Sequence, residues 1–359
     1  MGPEDGAGSP AADLRGRKGN DDRSEMTNSP NPSAHPPTRR ERLEFAGLTA
    51  GARLVASLPF PLLRPLATLL GSAVYGLDPR GRRVALANIE AAFPGKYSPQ
   101  EKRRIARASY GTFARTMFEL FWAPNITEAF LNRQVVFEGF DVDTCRRDPA
   151  KAAIYACFHF GNFEWLGLAG AHTIAPGPVI GQRFKNPLLG PVFDRLRAST
   201  GNNVIPQERA MIRMLKFLKG GGKFGMLCDL NLDPREGSVV IECFGGLLTS
   251  VTQAHAALAQ RTGAAIVPVE CRPLPDGRYR IIHHAPIKCP PDADAREIVQ
   301  HCWDALEPAI HAHPECWLWS YKHWRYKPSD DSGGRYPFYS NRTKRFDSLA
   351  HLMTARRRP

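Results

Sequence analysis

The 359-residue sequence predicts an α/β protein: a mixed, largely parallel sheet flanked by helices, with a separate helical region ahead of it. Three observations carry that expectation. From about residue 150 onward, short β-rich apolar runs alternate with amphipathic segments, the pattern of stacked strand and helix layers. Between 45 and 122 the chain is helical in character, first strongly apolar and then strongly basic. Apolar residues make up 43% and charged residues 23%, enough for a real core, which excludes a fully disordered, collagen-like or polytopic membrane chain.

Taken in order, residues 1–44 hold no aromatic and only two leucines, so they are expected to form a disordered tail. From Phe45 to Leu77 the chain is apolar, but Arg53, Pro59, Pro61, Arg64 and Pro65 interrupt it. A spanning helix needs about 20 predominantly apolar residues. Two short helices lying in a membrane interface fit better, with two ordinary core helices as the alternative. Ser98-Pro99-Gln100-Glu101 reads as a capping box with proline at the first helical position. The helix after it carries Ile105, Ala108, Phe113, Met117, Leu120 and Phe121 at roughly helical spacing.

Charge is the unusual bulk property. There are 48 Lys+Arg against 35 Asp+Glu, a net +13, which points to an anionic partner such as nucleic acid, an acidic protein or a membrane surface. Residues 80–115 contain nine Lys/Arg and two Glu, next to the apolar block, which favours a membrane surface over a merely solvated face. The eight cysteines are scattered with no C-x-x-C, so buried free thiols in a reducing compartment are expected, not a zinc ribbon or a disulfide framework.

In the α/β portion, strands are expected at 152–158, 178–183, 223–228, 238–243, 265–271 and 278–283. Helices are expected at 163–172, 187–199, 210–219, 252–262 and 295–311. The chemistry concentrates at Ile154-Tyr155-Ala156-Cys157-Phe158-His159-Phe160-Gly161-Asn162-Phe163-Glu164, where an apolar strand ends in a histidine. Gly161 and Asn162 permit a tight turn, and a helix begins near Glu164. Across such a junction His159 and Glu164 can converge, with His159 as general base and Glu164 fixing its tautomer. Asp229 falls at another strand end, where sites of parallel sheets gather.

His159-x4-Glu164 resembles the H-x4-D/E motif of lysophospholipid-type acyltransferases, in the form used by the lipid A biosynthesis lauroyl and myristoyl transferases. Four further stretches are similar to that family in the same order: Arg82-Arg83-Val84-Ala85-Leu86-Ala87-Asn88-Ile89 with Ala92-Phe93-Pro94, Gln182-Arg183-Phe184-Lys185-Asn186-Pro187, Cys228-Asp229 with Asp233-Pro234, and Pro314-Glu315-Cys316-Trp317-Leu318-Trp319 with Trp324-Arg325-Tyr326-Lys327-Pro328. Phe163 stands where the family has tryptophan, and the apolar segment lacks the family's single clean membrane helix. The region after Asp229 loses the family's Gly-Pro order.

The resemblance implies acyl transfer from a thioester, on acyl carrier protein or coenzyme A as co-substrate, to a hydroxyl of a membrane glycolipid, most simply of the lipid A type. His159 and Glu164 would be catalytic, and Arg183, Asn162, Asp229 and Lys185 would bind substrate; no metal and no other cofactor is expected. The chain then divides into a tail (1–44), a helical membrane-associated basic region (45–130), an α/β acyltransferase core (131–328), and a linker with a basic tail (329–359). It is expected at the inner, cytoplasmic membrane with its catalytic domain on the cytoplasmic face. Inositol mannoside or lysophospholipid acceptors remain open. A non-catalytic anionic-lipid-binding or nucleic-acid-binding protein is the rival class, although no helix-turn-helix, zinc-finger or RNP sequence accompanies the charge and no nucleic acid partner is expected. No G-x-S-x-G supports a serine esterase. His283-His284 and His311-x-His313 are expected at exposed element ends, Trp317, Trp319 and Trp324 in the core, and Gly220–Gly222 at a helix stop.

Overall fold

A computed structural model describes residues 36–139, 151–181, 184–331 and 333–355. The N-terminal region is four helices: α1 (Arg39–Ser57), α2 (Phe60–Leu77), α3 (Pro79–Ala92) and α4 (Pro99–Trp122). A capping box between Thr38 and Glu41 starts α1, so helix begins inside the stretch expected as tail; residues 1–35 of that stretch lie outside the described residues. The Ser98–Glu101 box starts α4 as expected. The apolar block does break into two helices, at Leu58-Pro59, but they are longer than the proline spacing suggested. Pro61 sits in the first turn of α2, where its missing N–H costs nothing, and only Pro65 lies inside the helix.

Helix α2 packs against α4 through glycine. A Cβ on Gly71 would lie 2.6 Å from Gly111 Cα, so the two backbones touch. Its outer face leaves Leu62, Leu66, Leu69, Leu70, Val74 and Leu77 exposed. By length and composition α2 is apolar enough to cross a membrane. The expected apolar stripe of α4 holds in part, with Ile105 and Leu120 buried and Met117 and Phe121 half-buried, but Ala108 and Phe113 are exposed and Ser109, Arg115, Thr116 and Glu119 are buried. Those polar side chains face the loops that build the site.

The remaining elements follow as α5 (Glu128–Gln134), β1 (Val135–Gly139), β2 (Ala153–Cys157), α6 (Phe163–Thr173), β3 (Pro178–Ile180), α7 (Gly190–Ala198), β4 (Asn203–Ile205), α8 (Ala210–Lys219), β5 (Lys223–Leu227), β6 (Ser238–Cys243), β7 (Leu247–Thr252), α9 (Ala254–Thr262), β8 (Ala265–Pro273), β9 (Tyr279–His283), α10 (Ala295–Ala312), β10 (Tyr326–Lys327), β11 (Asn341–Arg342) and α11 (Lys344–Ala355). The main sheet has the order β1-β9-β8-β2-β5. Its pairs are parallel except β8 with β9, which gives the mixed, largely parallel sheet expected. Helix α11 lies in the segment expected as linker and tail; it is held by Phe346, fully buried against Val240.

Cys157, Cys228, Cys243, Cys271, Cys302 and Cys316 are buried free thiols, and Cys289 is half-buried. Gly220–Gly222 does end a helix, with Gly221 at φ 80°. His283 departs from expectation. It lies in the core at the end of β9, while His311 is exposed.

Burial of three histidines makes stability pH-dependent. Desolvation holds the His255, His283 and His323 imidazoles at about 4 instead of 6.5. The native state therefore binds fewer protons than the unfolded chain between these values. Stability is complete above pH 6.5 and falls as pH drops through the window, by about 3 kcal/mol per histidine at pH 4. Urea unfolding at stepped pH is expected to show this decline, and His255→Phe is expected to flatten it. A flat profile from pH 7 to 4.5 would contradict buried neutral histidines.

Candidate active site

Strand register brings the site together. β2 and β5 are parallel neighbours with Cys157 opposite Leu227, so the residues two positions beyond each strand, His159 and Asp229, emerge side by side. The Cys228 N–H donates to the Cys157 carbonyl at 2.9 Å and extends the ladder to the site. His159 Nδ1 lies 2.7 Å from Asp229 Oδ1, and the His159 backbone N–H donates to Oδ2 at 3.0 Å. The Trp317 indole N–H, 2.8 Å away, also donates to Oδ2.

This geometry assigns the tautomer. Asp229 is 1% exposed. Burial pushes its carboxyl up, but His159 and the Trp317 indole pull harder, so it lies below the ordinary carboxylate range and stays ionised near neutral pH. An ionised carboxylate only accepts, so Nδ1 carries the proton and Nε2 keeps the lone pair. Among the described residues Nε2 has no hydrogen-bond partner, and the imidazole is partly exposed beside the Phe163 ring, 4.9 Å centroid to centroid. A histidine so held can accept a proton at Nε2.

The turn between His159 and α6 is fixed from three sides. Gly161 adopts φ 57°, and a Cβ there would lie 1.7 Å from the Cys271 carbonyl oxygen, so no other residue fits. Its N–H donates to the Cys316 carbonyl at 2.8 Å, and Thr116 Oγ1 donates to its carbonyl at 3.1 Å. Asn162 then caps α6 by accepting from the Trp165 N–H.

Several expected roles change. Glu164 does not orient His159. Its two carboxylate oxygens take the Arg197 Nη2 and Nε donors at 2.6 and 3.1 Å, because the first turn of α6 aims it at α7. The Asn162 amide, expected at the substrate, is buried and donates to Glu119 Oε2 at 2.7 Å and to the Tyr279 hydroxyl at 3.2 Å. Asp229, which the strand-end position allows either to bind substrate or to support a neighbouring site residue, is buried on His159. Lys185 is exposed on a turn, next to Asn186, whose amide donates to the Glu41 carbonyl on α1. Arg183 lies outside the described residues.

Sequence reasoning missed Trp317 and Arg197. Trp317 was expected in the core, and it is buried as expected; what marks it as part of the site is a buried indole N–H next to a carboxylate, which spacing does not reveal. Glu164→Gln is expected to cost ~3 kcal/mol in unfolding free energy, because it leaves the largely buried Arg197 guanidinium without its counter-charge. Guanidinium unfolding checks it. A loss below 0.5 kcal/mol, on the order of an ordinary surface substitution, would make the pair dispensable.

Comparison with known proteins gives the family. A family model described as bacterial lipid A biosynthesis acyltransferase matches residues 36–326. The lipid A biosynthesis lauroyltransferase of Escherichia coli (strain K12) is 27% identical over 283 residues, 77% of this chain and 89% of that protein. The phosphatidylinositol mannoside acyltransferase of Mycolicibacterium smegmatis (strain ATCC 700084 / mc(2)155) is 26% identical over 298 residues, 80% of this chain and 94% of that protein. The match takes in α1 to α4, the His159 turn, both strand ends and the Trp317 strap. The chain belongs to the bacterial lipid A biosynthesis acyltransferase family and is an acyltransferase.

Proposed function

We propose that the protein moves a fatty acyl chain from a thioester, carried by acyl carrier protein or coenzyme A, to a hydroxyl of a membrane glycolipid of the lipid A type. The observation that carries this is the His159–Asp229 pair at the carboxyl ends of β2 and β5, with Nε2 unpartnered among the described residues. His159 Nε2 takes the proton of the acceptor hydroxyl as its oxygen attacks the thioester carbonyl carbon. The tetrahedral intermediate collapses with cleavage of the C–S bond, and the imidazolium returns the proton to the leaving thiolate. Asp229 holds the ring and stabilises the imidazolium. No serine or cysteine nucleophile is needed, and burial raises the Cys157 and Cys228 thiols far from reactivity.

The exposed leucines of α2 and the basic α3 and α4 support docking on an anionic membrane, with the sheet on the cytoplasmic side. Mass spectrometry of membrane lipids from a deletion strain tests the proposal. The expected change is a glycolipid lighter by one acyl chain, restored by the wild-type gene and not by His159→Ala. An unchanged lipid profile in the deletion strain would refute it.

A further inference from the structure

Beyond His159 and Asp229, the strap that follows Trp317 builds a second polar feature. Lys322, Arg325, Tyr326, Tyr339 and Asn341 line an open cavity of about 410 Å³. That volume falls within the ~300–1,000 Å³ of small-ligand sites. The walls are held in place by the fold. Tyr326 pairs with Asn341 across β10 and β11, and the Asn341 N–H donates to the Arg325 carbonyl at 2.8 Å. The Tyr339 hydroxyl donates to Asn88 Oδ1, and the Asn88 amide donates in turn to the Trp319 and Tyr321 carbonyls.

Among the described residues no carboxylate neutralises the two cations. Among the described residues neither Lys322 nor Arg325 enters an ion pair. Lys322 Nζ lies over the Tyr339 ring at 5.5 Å. Arg325 lies over the Tyr321 ring at 5.0 Å and donates through Nη2 to its hydroxyl at 2.7 Å, leaving the rest of its guanidinium fork unclaimed. The acid beside the cavity is Asp233, which bonds the Tyr326 hydroxyl, and it is already held by both Nε and Nη2 of Arg235. The same strap leads to the catalytic pair, because the Tyr321 hydroxyl donates to the Asn231 carbonyl two residues past Asp229, and His323 stacks on Trp317 at 3.8 Å.

We infer that this cavity is an anion subsite that holds a phosphate ester of one of the two substrates while the acyl chain is transferred. Two uncompensated cations match a phosphate monoester, which carries about −1.5 to −2 near pH 7, better than a carboxylate. The tyrosine rings at its walls suit the sugar or nucleoside that bears the phosphate. The inference rests on the acyl-transfer reading for its substrate, but the site itself is testable without catalysis.

The first arm titrates inorganic phosphate into the full-length protein at ionic strength held constant with sodium chloride, reading Tm. Wild type is expected to gain Tm with phosphate, and Lys322→Gln and Arg325→Gln are expected not to. Among the described residues the Lys322 side chain makes no hydrogen bond, so its variant separates loss of binding from loss of structure. Equal gains in wild type and Lys322→Gln would overturn the site. The second arm measures KM for phosphorylated and dephosphorylated acceptor, and for acyl-coenzyme A against acyl-pantetheine. Arg325→Gln is expected to raise KM about 10- to 100-fold for whichever substrate carries the phosphate and to leave its dephosphorylated form unchanged. Unchanged KM for both phosphorylated substrates would overturn the role in turnover. If no acyl transfer is found at all, the acyl-transfer reading falls and the phosphate titration still decides the site.

Discussion

Asp229→Asn is expected to lower kcat by about 10³- to 10⁴-fold with little change in either KM, the range seen when a buried carboxylate that fixes a catalytic histidine tautomer is made an amide. The argument is one of hydrogen-bond accounting. The carboxylate accepts from three donors: His159 Nδ1 at Oδ1, and the His159 backbone N–H and the Trp317 indole at Oδ2. An amide offers one accepting atom. If that oxygen serves the two donors at the Oδ2 position, the amide nitrogen faces Nδ1 and itself donates. His159 must then carry its proton on Nε2, and the base is blocked. Radiolabelled acyl donor with lipids from the deletion strain measures the loss. Trp317→Phe, which removes one of the two donors at Oδ2, is expected to cost about tenfold, the worth of one hydrogen bond to a charged group. Full activity in Asp229→Asn would return tautomer control to another carboxylate, and Glu164 is the obvious one to test next.

How much of this was legible in the sequence depends on how local the signal was. Strand ends at Cys157 and Leu227, the Ser98 cap and the helices at 163–173, 210–219 and 295–312 follow from alternation, capping and helical spacing within a few residues. β4 escaped because three residues give too brief an alternation to separate from loop, whereas β1 and β7, as long as the strands that were expected, were simply not picked out. Helix α11 escaped because its basic residues conceal the few apolar anchors, chiefly Phe346. His159 was legible from the strand, the turn and the motif together. Its true partner was not, because Asp229 is 70 positions away and meets it only if β5 lies beside β2, which alternation alone does not determine. Nearness in sequence favoured Glu164 instead. Once Asn162 starts a helix there, the second helical residue points across the turn toward Arg197.

The polar face of α4 gives the second large effect, on stability. Arg115 and Glu119, one turn apart, are almost fully buried and meet at 2.7 Å. Arg115 Nη2 also donates to the Gly277 carbonyl at 3.0 Å, and its guanidinium covers the Tyr279 ring at 4.6 Å. Glu119 Oε2 accepts from Asn162, so this pair is what holds the His159 turn from below. Arg115→Met keeps most of the volume but strands the Glu119 carboxylate in the core, and breaking a buried pair in this way costs ~3–5 kcal/mol. Adding Glu119→Gln removes the stranded charge while keeping an acceptor for Asn162, so the double variant is expected to regain at least half of the loss. Guanidinium unfolding of the two variants measures the difference. Equal stability of single and double would show that the loss comes from packing around Tyr279, not from the charge. Because Asn162 follows Gly161 directly, the single variant is also expected to lose kcat more than KM, through a His159 turn no longer held in register with Asp229.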